Sequence, residues 1–306
     1  MAIGNFNPTI WHAALLAPYN KAHVFREMMN RDYEGDIRAH GDSVKISSGG
    51  PITAKTYARN AGMGGTGASP TIAEIDRPEI GQASSMYLTI SQEKYVSFGV
   101  DNIDKRQSNV DFMADRMRES AWTLANQADL YCASVLQTGV AGTTDGTGNR
   151  LTARTVGLGA GDEDAYKVIV DIGTKLDEAN APQEGRYVVV PAWFKGLLLL
   201  DDRFTNFGTS ENRGTLRNGL IGEADGFMVK VSNNLSGATS GTLAVTGGVY
   251  TILAGIKPAA TFAEQLHEPV PFTPEGGFTD AMKILHVYGA LVTRPYALAS
   301  CAVTAA

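Results

Sequence analysis

The feature that most constrains this chain is a stretch of helical periodicity from Asn109 to about Thr138. Its apolar or small residues are alternately three and four positions apart, which places them along one face of a helix. They are Val110, Met113, Met117, Ala121, Leu124, Ala128, Tyr131 and Val135. Ser108 is a suitable N-cap and Gly139 a suitable stop. About thirty residues, each rising about 1.5 Å, predict a rod of roughly 45 Å, which is either a frayed core helix or the backbone of the fold.

Strand-like, glycine-rich sequence flanks this helix and favours the second interpretation. Between Gly41 and Asp101, apolar residues such as Val44 and Ile46 alternate with polar ones, as in half-buried strands. The segment 57–71 between these strands contains the glycine-rich tip Gly62–Gly67. We therefore predict a projecting hairpin, which on its own is only marginally stable in water and needs contact with another molecule. The 34 glycines favour turns and mobile loops over a helical bundle.

The remainder of the chain is predicted to form an N-terminal segment and an α/β subdomain with a central sheet. Near the N-terminus, a short helix over about Asn20–Asn30 would expose Phe25, Met28 and Met29 unless the core or a neighbour covers them. In the second half, we predict a helix that is capped by Asp162 and buries Tyr166, Ile169, Ile172 and Leu176. It is followed by a strand at Arg186–Val190, a helix at Ala192–Leu200, and strands at Phe227–Val231 and Val249–Ala254. A closing strand pair is predicted within 281–303, broken at Arg294-Pro295.

Composition and charge exclude several classes of protein. Hydrophobic residues at 43% and charged residues at 19% are typical of a folded chain with a sizeable core. The net charge of −6 argues against affinity that comes from neutralising nucleic-acid phosphates. Cys132 and Cys301 form no CxxC pair, so we expect two free thiols in a reducing compartment. The sequence shows neither a signal peptide nor the roughly 18 apolar residues of a membrane span.

Short motifs that match catalytic patterns lack their structural context. Gly62–Gly67 fits GxGxxG, but no apolar strand precedes it and no helix follows. Ser91–Lys94 fits SxxK, yet it lies between alternating strands, where a turn is expected. The five histidines are scattered, and His286 alternates with apolar residues as a structural histidine in a strand does. We expect no catalytic, cofactor-binding or metal-binding residues, although distant residues that assemble into a site leave a soluble α/β enzyme as an alternative.

An ordered set of segments between Tyr187 and Leu235 is informative about family. They are Val188–Pro191, Trp193–Phe194, Leu197–Phe204, Asn218–Gly222, Gly226–Val229 and Ser232–Leu235. This set resembles the major capsid proteins of tailed bacteriophages, which have the Hong Kong 97-like fold. The resemblance implies an α+β fold with an N-terminal arm (1–40), an extended β-hairpin loop or E-loop (41–100), a peripheral domain (101–143 and 264–285) with a spine helix (109–138), and an α/β axial domain (144–263 and 286–306).

The resemblance implies a structural protein of the virion capsid. Such a chain assembles in the bacterial host cytoplasm into pentamers and hexamers, which form an icosahedral shell around double-stranded DNA. Because the chain begins at the expected arm, a separate scaffolding protein is implied, together with a portal protein and in some relatives a decoration or cement protein. Contact with the packaged DNA would be weak and non-specific, and no membrane is involved. An encapsulin-type nanocompartment shell shares the fold and is the nearest alternative.

Five residues in the arm and around the hairpin tip are candidates for contacts between subunits, although each is equally consistent with a solvated surface. They are Trp11, Lys55, Arg59, Glu74 and Arg77. Some relatives link subunits covalently through a lysine and an asparagine. Here Lys55 is available, but no asparagine follows Asn234. The expectation is a shell without covalent cross-links.

Overall fold

A computed structural model of the chain describes residues 24–33, 43–49, 54, 83–101, 112–159, 161–201, 223–235, 248–276 and 279–306. The chain divides into two units, residues 45–87 and the remainder (1–44 with 88–306). Strands β1 (Ser43–Gly49) and β2 (Ala83–Thr89), most of whose residues belong to the smaller unit, pair as a two-stranded sheet. Val44 and Ile46 alternate with exposed residues, as predicted. The predicted glycine-rich tip lies outside the described residues.

A four-stranded antiparallel sheet is built on one long strand, β11 (Thr279–Val292). Strand β3 (Gln92–Asp101) pairs along one edge of β11. Along the other edge lie β9 (Ala260–Leu266) and β10 (Val270–Phe272). In β3, Val96, Phe98 and Val100 are half-buried or buried, while the odd-numbered residues between Gln92 and Val100 are exposed, which confirms the alternation expected for these three residues.

The predicted long helix, α1 (Phe112–Gly139), spans two hydrophobic clusters. Its first half packs Met117, Ala121 and Leu124 against the four-stranded sheet. Its second half, from Ala128 to Leu136, joins the larger cluster around the other sheet. The helix therefore links two cores, which confirms the interpretation of a backbone over that of an isolated core helix. Within the described ranges, no helix combines the length and apolar character needed to span a bilayer.

The second sheet has six strands and forms the α/β part of the fold. In spatial order they are β4 (Arg150–Val156), β12 (Leu298–Ala305), β8 (Val249–Ile256), β5 (Arg186–Val190), β7 (Phe227–Val231) and β6 (Glu223–Ala224). All five residues of β5 are buried, as the apolar sequence predicts for a strand covered on both faces. Helices α2 (Ala165–Glu178) and α3 (Ala192–Leu200) confirm the predicted strand–helix alternation.

Three local predictions are wrong in detail. Helix α2 is capped by Asp164, whose side chain accepts the Tyr166 N–H, and not by Asp162. Asp162 instead accepts the Gly159 N–H at 2.9 Å, while the Glu163 N–H is paired with the Thr155 carbonyl. Because residue 163 is held beside β4 by this bond, the helix begins only after it.

The other two corrections concern the ends of the chain. The predicted short helix at Asn20–Asn30 is a single 3-10 turn, Arg26–Met28, within the described part of that range. The backbone of Asn30 bonds to β9, which draws the chain out of a helical path. The strands predicted as a closing pair, β11 and β12, do not pair with each other but belong to different sheets. The predicted break is real, since a 3-10 turn at Pro295–Ala297 redirects the chain between them.

Candidate functional site

The five residues predicted to contact neighbouring subunits lie outside the described part of the structure. They are Trp11, Lys55, Arg59, Glu74 and Arg77. Their roles therefore remain predictions. The described part does contain the attachment of the N-terminal region to the body of the subunit, and a set of exposed apolar side chains.

Residues 24–33, here called the N-terminal strap, are attached to the body by apolar anchors and a short backbone bridge. Phe25, Met28 and Met29 are buried in the same cluster as the second half of α1. Their spacing follows the pattern seen in the sequence, although the local conformation is a 3-10 turn. The Asn30 N–H donates to the Ala260 carbonyl, and the Phe262 N–H donates to the Asn30 carbonyl, both at 2.9 Å. The strap thus adds a single bridge at the outer edge of β9.

Asp129 of α1 holds the beginning of the strap. Its side chain is buried, with only 1% of the residue exposed. One carboxylate oxygen accepts the N–H groups of Val24 and Phe25 at 3.0 and 2.9 Å. The other accepts the Asn234 side-chain amide at 2.9 Å. Burial raises the pKa of Asp129, although the hydrogen bonds from Asn234 and the strap amides oppose the rise. This carboxylate joins the strap, the long helix and the loop that follows β7.

Glu264 of β9 holds the rest of the strap through an ionic cluster. One of its oxygens is paired with Arg26 and with Arg31, the latter at 2.8 Å. The other lies 3.2 Å from Nε2 of His286 on β11. Burial alone would raise the pKa of Glu264, but the hydrogen bond from His286 and the charges of Arg26 and Arg31 outweigh it and lower the pKa. His286 is fully buried and paired, which confirms its prediction as a structural histidine.

A second polar site lies between α2 and the turn that joins β6 to β7. It is a pocket of about 290 Å³ lined by Asp177, Arg186 and Asp225, among others. The Arg186 guanidinium donates to an Asp177 oxygen at 2.7 Å and to two backbone carbonyls at 2.8 Å. Burial and the neighbouring Asp177 raise the pKa of Asp225. Because protein oxygens occupy the donors of Arg186, the arrangement braces the end of α2.

The motifs considered for catalysis are structural where the structure describes them. Ser91 lies in the short turn between β2 and β3, as predicted, with its hydroxyl 3.3 Å from that of Tyr131. Cys132 and Cys301 are free and buried. Within the described ranges, no group of three or more His, Cys, Asp or Glu side chains is placed to hold a metal ion.

Several large apolar side chains are exposed on the subunit. Tyr95 on the uncovered face of β3 is 75% exposed, Trp122 on α1 is 59% exposed and Leu200 at the end of α3 is 64% exposed. Apart from Lys195 and Gly196, helix α3 consists of apolar residues, yet only Phe194 and Leu198 are buried. A helix of this composition is normally covered all round. The sequence does contain this signal, because Tyr95 falls at an outward position of β3 and Trp122 lies off the apolar stripe of α1.

Comparison with known protein families identifies the family to which this chain belongs. A family model described as phage capsid protein matches residues 86–301, more than half of the chain. The chain belongs to the phage capsid protein family. The resemblance inferred from the sequence is thereby confirmed, and so is the Hong Kong 97-like α+β fold. The comparison with curated protein sequences found no match.

Solved structures agree with the family assignment. A structure from Mycobacterium phage Che8 is 28% identical with a TM-score of 0.66, and the match covers 91% of this chain and 90% of the other. The mature capsid of bacteriophage PhiM1 matches at 15% identity, TM-score 0.62 and coverages of 92% and 87%. A virus-like particle from Pyrococcus furiosus matches at 12% identity, TM-score 0.54 and coverages of 96% and 98%, which shows a shared fold alone.

Family membership settles the broad function. The protein is a major capsid protein, and copies of it form the shell of a phage head. Its role is structural, so the alternative of a soluble α/β enzyme is set aside. Its place is the capsid of the virion. The exposed apolar side chains and the strap are therefore best understood as parts of an assembling subunit.

Proposed function

We propose that the chain assembles into rings of five and six subunits that close an icosahedral head around the double-stranded DNA of a tailed phage. The observation that carries this proposal is the family match over residues 86–301. The exposed Tyr95, Trp122 and Leu200 support it, because covering large apolar side chains with a neighbouring subunit removes apolar surface from water and so stabilises the assembly. The proposal is specific about rings because subunits of one sequence must repeat near-identical contacts to close a shell.

The proposed parts of the subunit have separate roles. Residues 1–40 act as an arm, which the strap anchors to its own subunit, and residues 41–100 act as an extended loop. The rest of the arm and the loop lie across neighbouring subunits. Residues 101–143 and 264–285 form a peripheral domain, with the long helix as its spine. Residues 144–263 and 286–306 form an axial domain, which points at the five- and six-fold axes. The six-stranded sheet and helices α2 and α3 fall largely in the last of these, which supports a compact wedge at the axes.

Contacts between subunits are proposed at the arm and around the tip of the extended loop. The candidate residues remain Trp11, Lys55, Arg59, Glu74 and Arg77. An aromatic residue at an interface supplies a large apolar contact, and opposite charges around the loop tip select the register of docking. Such contacts would also stabilise the extended loop, because a two-stranded hairpin on its own is only marginally stable in water.

The proposed partners, apart from other copies of the chain, are a scaffolding protein, a portal protein and in some shells a decoration protein. These follow from the resemblance to tailed-phage capsid proteins, and assembly is placed in the host cytoplasm on the same ground. The net charge of −6 supports weak, sequence-independent contact with DNA, since an acidic chain does not neutralise phosphates.

We also propose that the mature shell is held by non-covalent contacts alone. Lys55 lies in the extended loop, but no asparagine occurs after Asn234 to accept it. Denaturing electrophoresis of mature particles tests this directly. A single band at the monomer position is expected, and a ladder of multimers would exclude the proposal.

Assembly itself is tested by sedimentation velocity of the purified wild type beside two variants of Trp122. The wild type should sediment as large particles. Trp122→Glu puts a charge on an exposed apolar site and should leave most subunits unassembled, whereas Trp122→Phe keeps the apolar contact and should assemble. Circular dichroism of each variant serves as the control for folding. A wild type that never exceeds a small oligomer, even when a scaffolding protein is co-expressed, would contradict the shell proposal. Full assembly of Trp122→Glu would exclude this residue from the contacts.

A further inference from the structure

The strap is attached mainly by side chains. Within the described residues, its only backbone bridge to a sheet is at Asn30 and Thr261. Beyond the three apolar anchors, the buried polar attachments are Asp129 at its beginning and Glu264 over its middle and end. Weaker contacts are the exposed Glu27, 4.0 Å from Lys230, and the Arg26 guanidinium over the Phe262 ring. A segment held by so few backbone bonds can detach without breaking either sheet. The two buried carboxylates are its strongest polar attachments.

Glu264 is the anion that the strap's two arginines share. The Arg26 side chain is buried, whereas Arg31 is partly exposed. From the other sides, His286 of β11 contacts the same carboxylate, and the charge of Glu264 adds to burial in raising the pKa of the Cys132 thiol on α1. If Glu264 is neutralised, the buried Arg26 cation loses this ion pair, which is strongly unfavourable. Movement of the strap backbone away from β9 would expose Arg26 to water and relieve this cost.

We propose that the ionic cluster around Glu264 is a latch that holds the strap on the subunit, and that neutralising Glu264 releases the strap while both sheets stay folded. Because the strap is the part of the proposed arm (1–40) that is anchored to the body, the closed latch fixes the place from which the residues before the strap leave the subunit. This role rests on the proposed function of the arm as a contact with neighbouring subunits. Arg26, Arg31 and Glu264 are then positioning residues for assembly.

The two carboxylates respond to acid in opposite directions. A group whose pKa is lowered in the folded state stabilises that state above its ordinary pKa, and the contribution is lost as the pH falls through the folded pKa. Glu264 is of this kind, so acid opens the latch below the ordinary glutamate range of about pH 4. The pKa of Asp129 is raised, so its protonation favours the folded state. Acid therefore acts on the strap through Glu264.

Hydrogen exchange measured by mass spectrometry on the unassembled full chain tests the latch. Glu264→Gln removes the charge, and the matched control Glu27→Gln makes the same change on the exposed side of the strap, where Glu27 lies 4.0 Å from Lys230. At pH 7, peptides from residues 24–33 should exchange at least tenfold faster in Glu264→Gln than in the wild type. Peptides from β12 should be unchanged, and Glu27→Gln should match the wild type. The proposal would be overturned if the strap of Glu264→Gln were as protected from exchange as that of the wild type. It would also be overturned if β12 lost its protection at the same time as the strap.

If Glu264→Gln does not fold, Arg31→Gln replaces it. Removing the half-exposed cation raises the pKa of Glu264, so the strap should open at a higher pH than in the wild type. Exchange corrected for the intrinsic effect of pH measures this midpoint, and an unchanged midpoint would overturn the latch.

Particle yield by sedimentation tests the role in assembly. Glu264→Gln should give less than a tenth of the wild-type yield, whereas Glu27→Gln should assemble normally. A loosened strap with normal yield would refute the positioning role. Failure of the wild type to assemble would instead refute the proposed function, and the exchange result would still decide the latch.

Discussion

Gly289 lies where β11 passes the turn between β2 and β3, and this close approach makes a sharp prediction. A Cβ atom added at Gly289 would lie 2.3 Å from the Thr89 carbonyl oxygen and 3.0 Å from the Ile90 Cα. Ordinary contacts begin at 3.4 Å, so the two backbones would have to separate by about 1 Å. Both obstacles are backbone atoms, which cannot swing aside as a side chain can. Gly289→Ala is therefore expected to force strands apart.

The size of the effect follows from two opposing contributions. Overpacking of this kind costs about 1–3 kcal/mol. Replacing glycine restricts the unfolded chain and returns about 0.4–1 kcal/mol. We expect a net loss of about 1–2 kcal/mol in the free energy of unfolding, which lowers the melting midpoint by roughly 2–6 °C.

Thermal unfolding of unassembled subunits, followed by circular dichroism, measures this loss. The matched control is Gly276→Ala, because a Cβ at Gly276 meets nothing within 4 Å. The control should melt no lower than the wild type. If Gly289→Ala melts at or above the wild-type midpoint, or if both variants fall equally, the close approach of β11 to the β2–β3 turn is refuted.

Three further predictions follow from the described contacts. Gly196→Ala in α3 adds a Cβ in open space and should stabilise the subunit by about 0.8–1 kcal/mol in denaturant unfolding; destabilisation would contradict the open surface. Burial raises the pKa of Cys301 to about 12 and that of Cys132 well above its ordinary value, so neither thiol should react with iodoacetamide at pH 8 until the chain is denatured, as mass spectrometry will show. Asp177→Asn should lower the denaturant midpoint at pH 7 but much less at pH 3, because the hydrogen bond from Arg186 lowers the pKa of Asp177 and the stabilisation is lost as the pH falls through it. Equal losses at the two pH values would count against this ion pair.

Elements with strong local periodicity could be predicted from the sequence. The stripe from Met117 to Ala128 on α1 has the period of a helix over many turns, and no competing signal interrupts it. The apolar run Arg186–Val190 could only be buried on both faces. By contrast, the sequence pattern places the cap of α2 at Asp162, two residues before the observed cap. Asp162 and Asp164 are equally good caps by residue type, and only the pairing of Glu163 with β4 selects the second.

The attachment of the strap could not be predicted, because its partners are distant in sequence. Arg26 meets Glu264, and Glu264 meets His286, only after the later strands of the chain have folded into the sheets. The sequence does contain a partial signal. Glu264 shares its side of β9 with Phe262, and His286 shares its side of β11 with Ile284 and Tyr288, so both polar side chains require buried partners. That signal predicts a polar cluster, but it does not identify the cations. Local patterns thus predict elements, while long-range charge pairs become visible only in the fold.

Electron microscopy of the purified wild-type protein tests the central claim most directly. The account predicts closed shells, or rings of five and six subunits, and a three-dimensional reconstruction should place the axial domain at the ring axes. A population of monomers or of one small, fixed oligomer, even when a scaffolding protein is co-expressed, would contradict it.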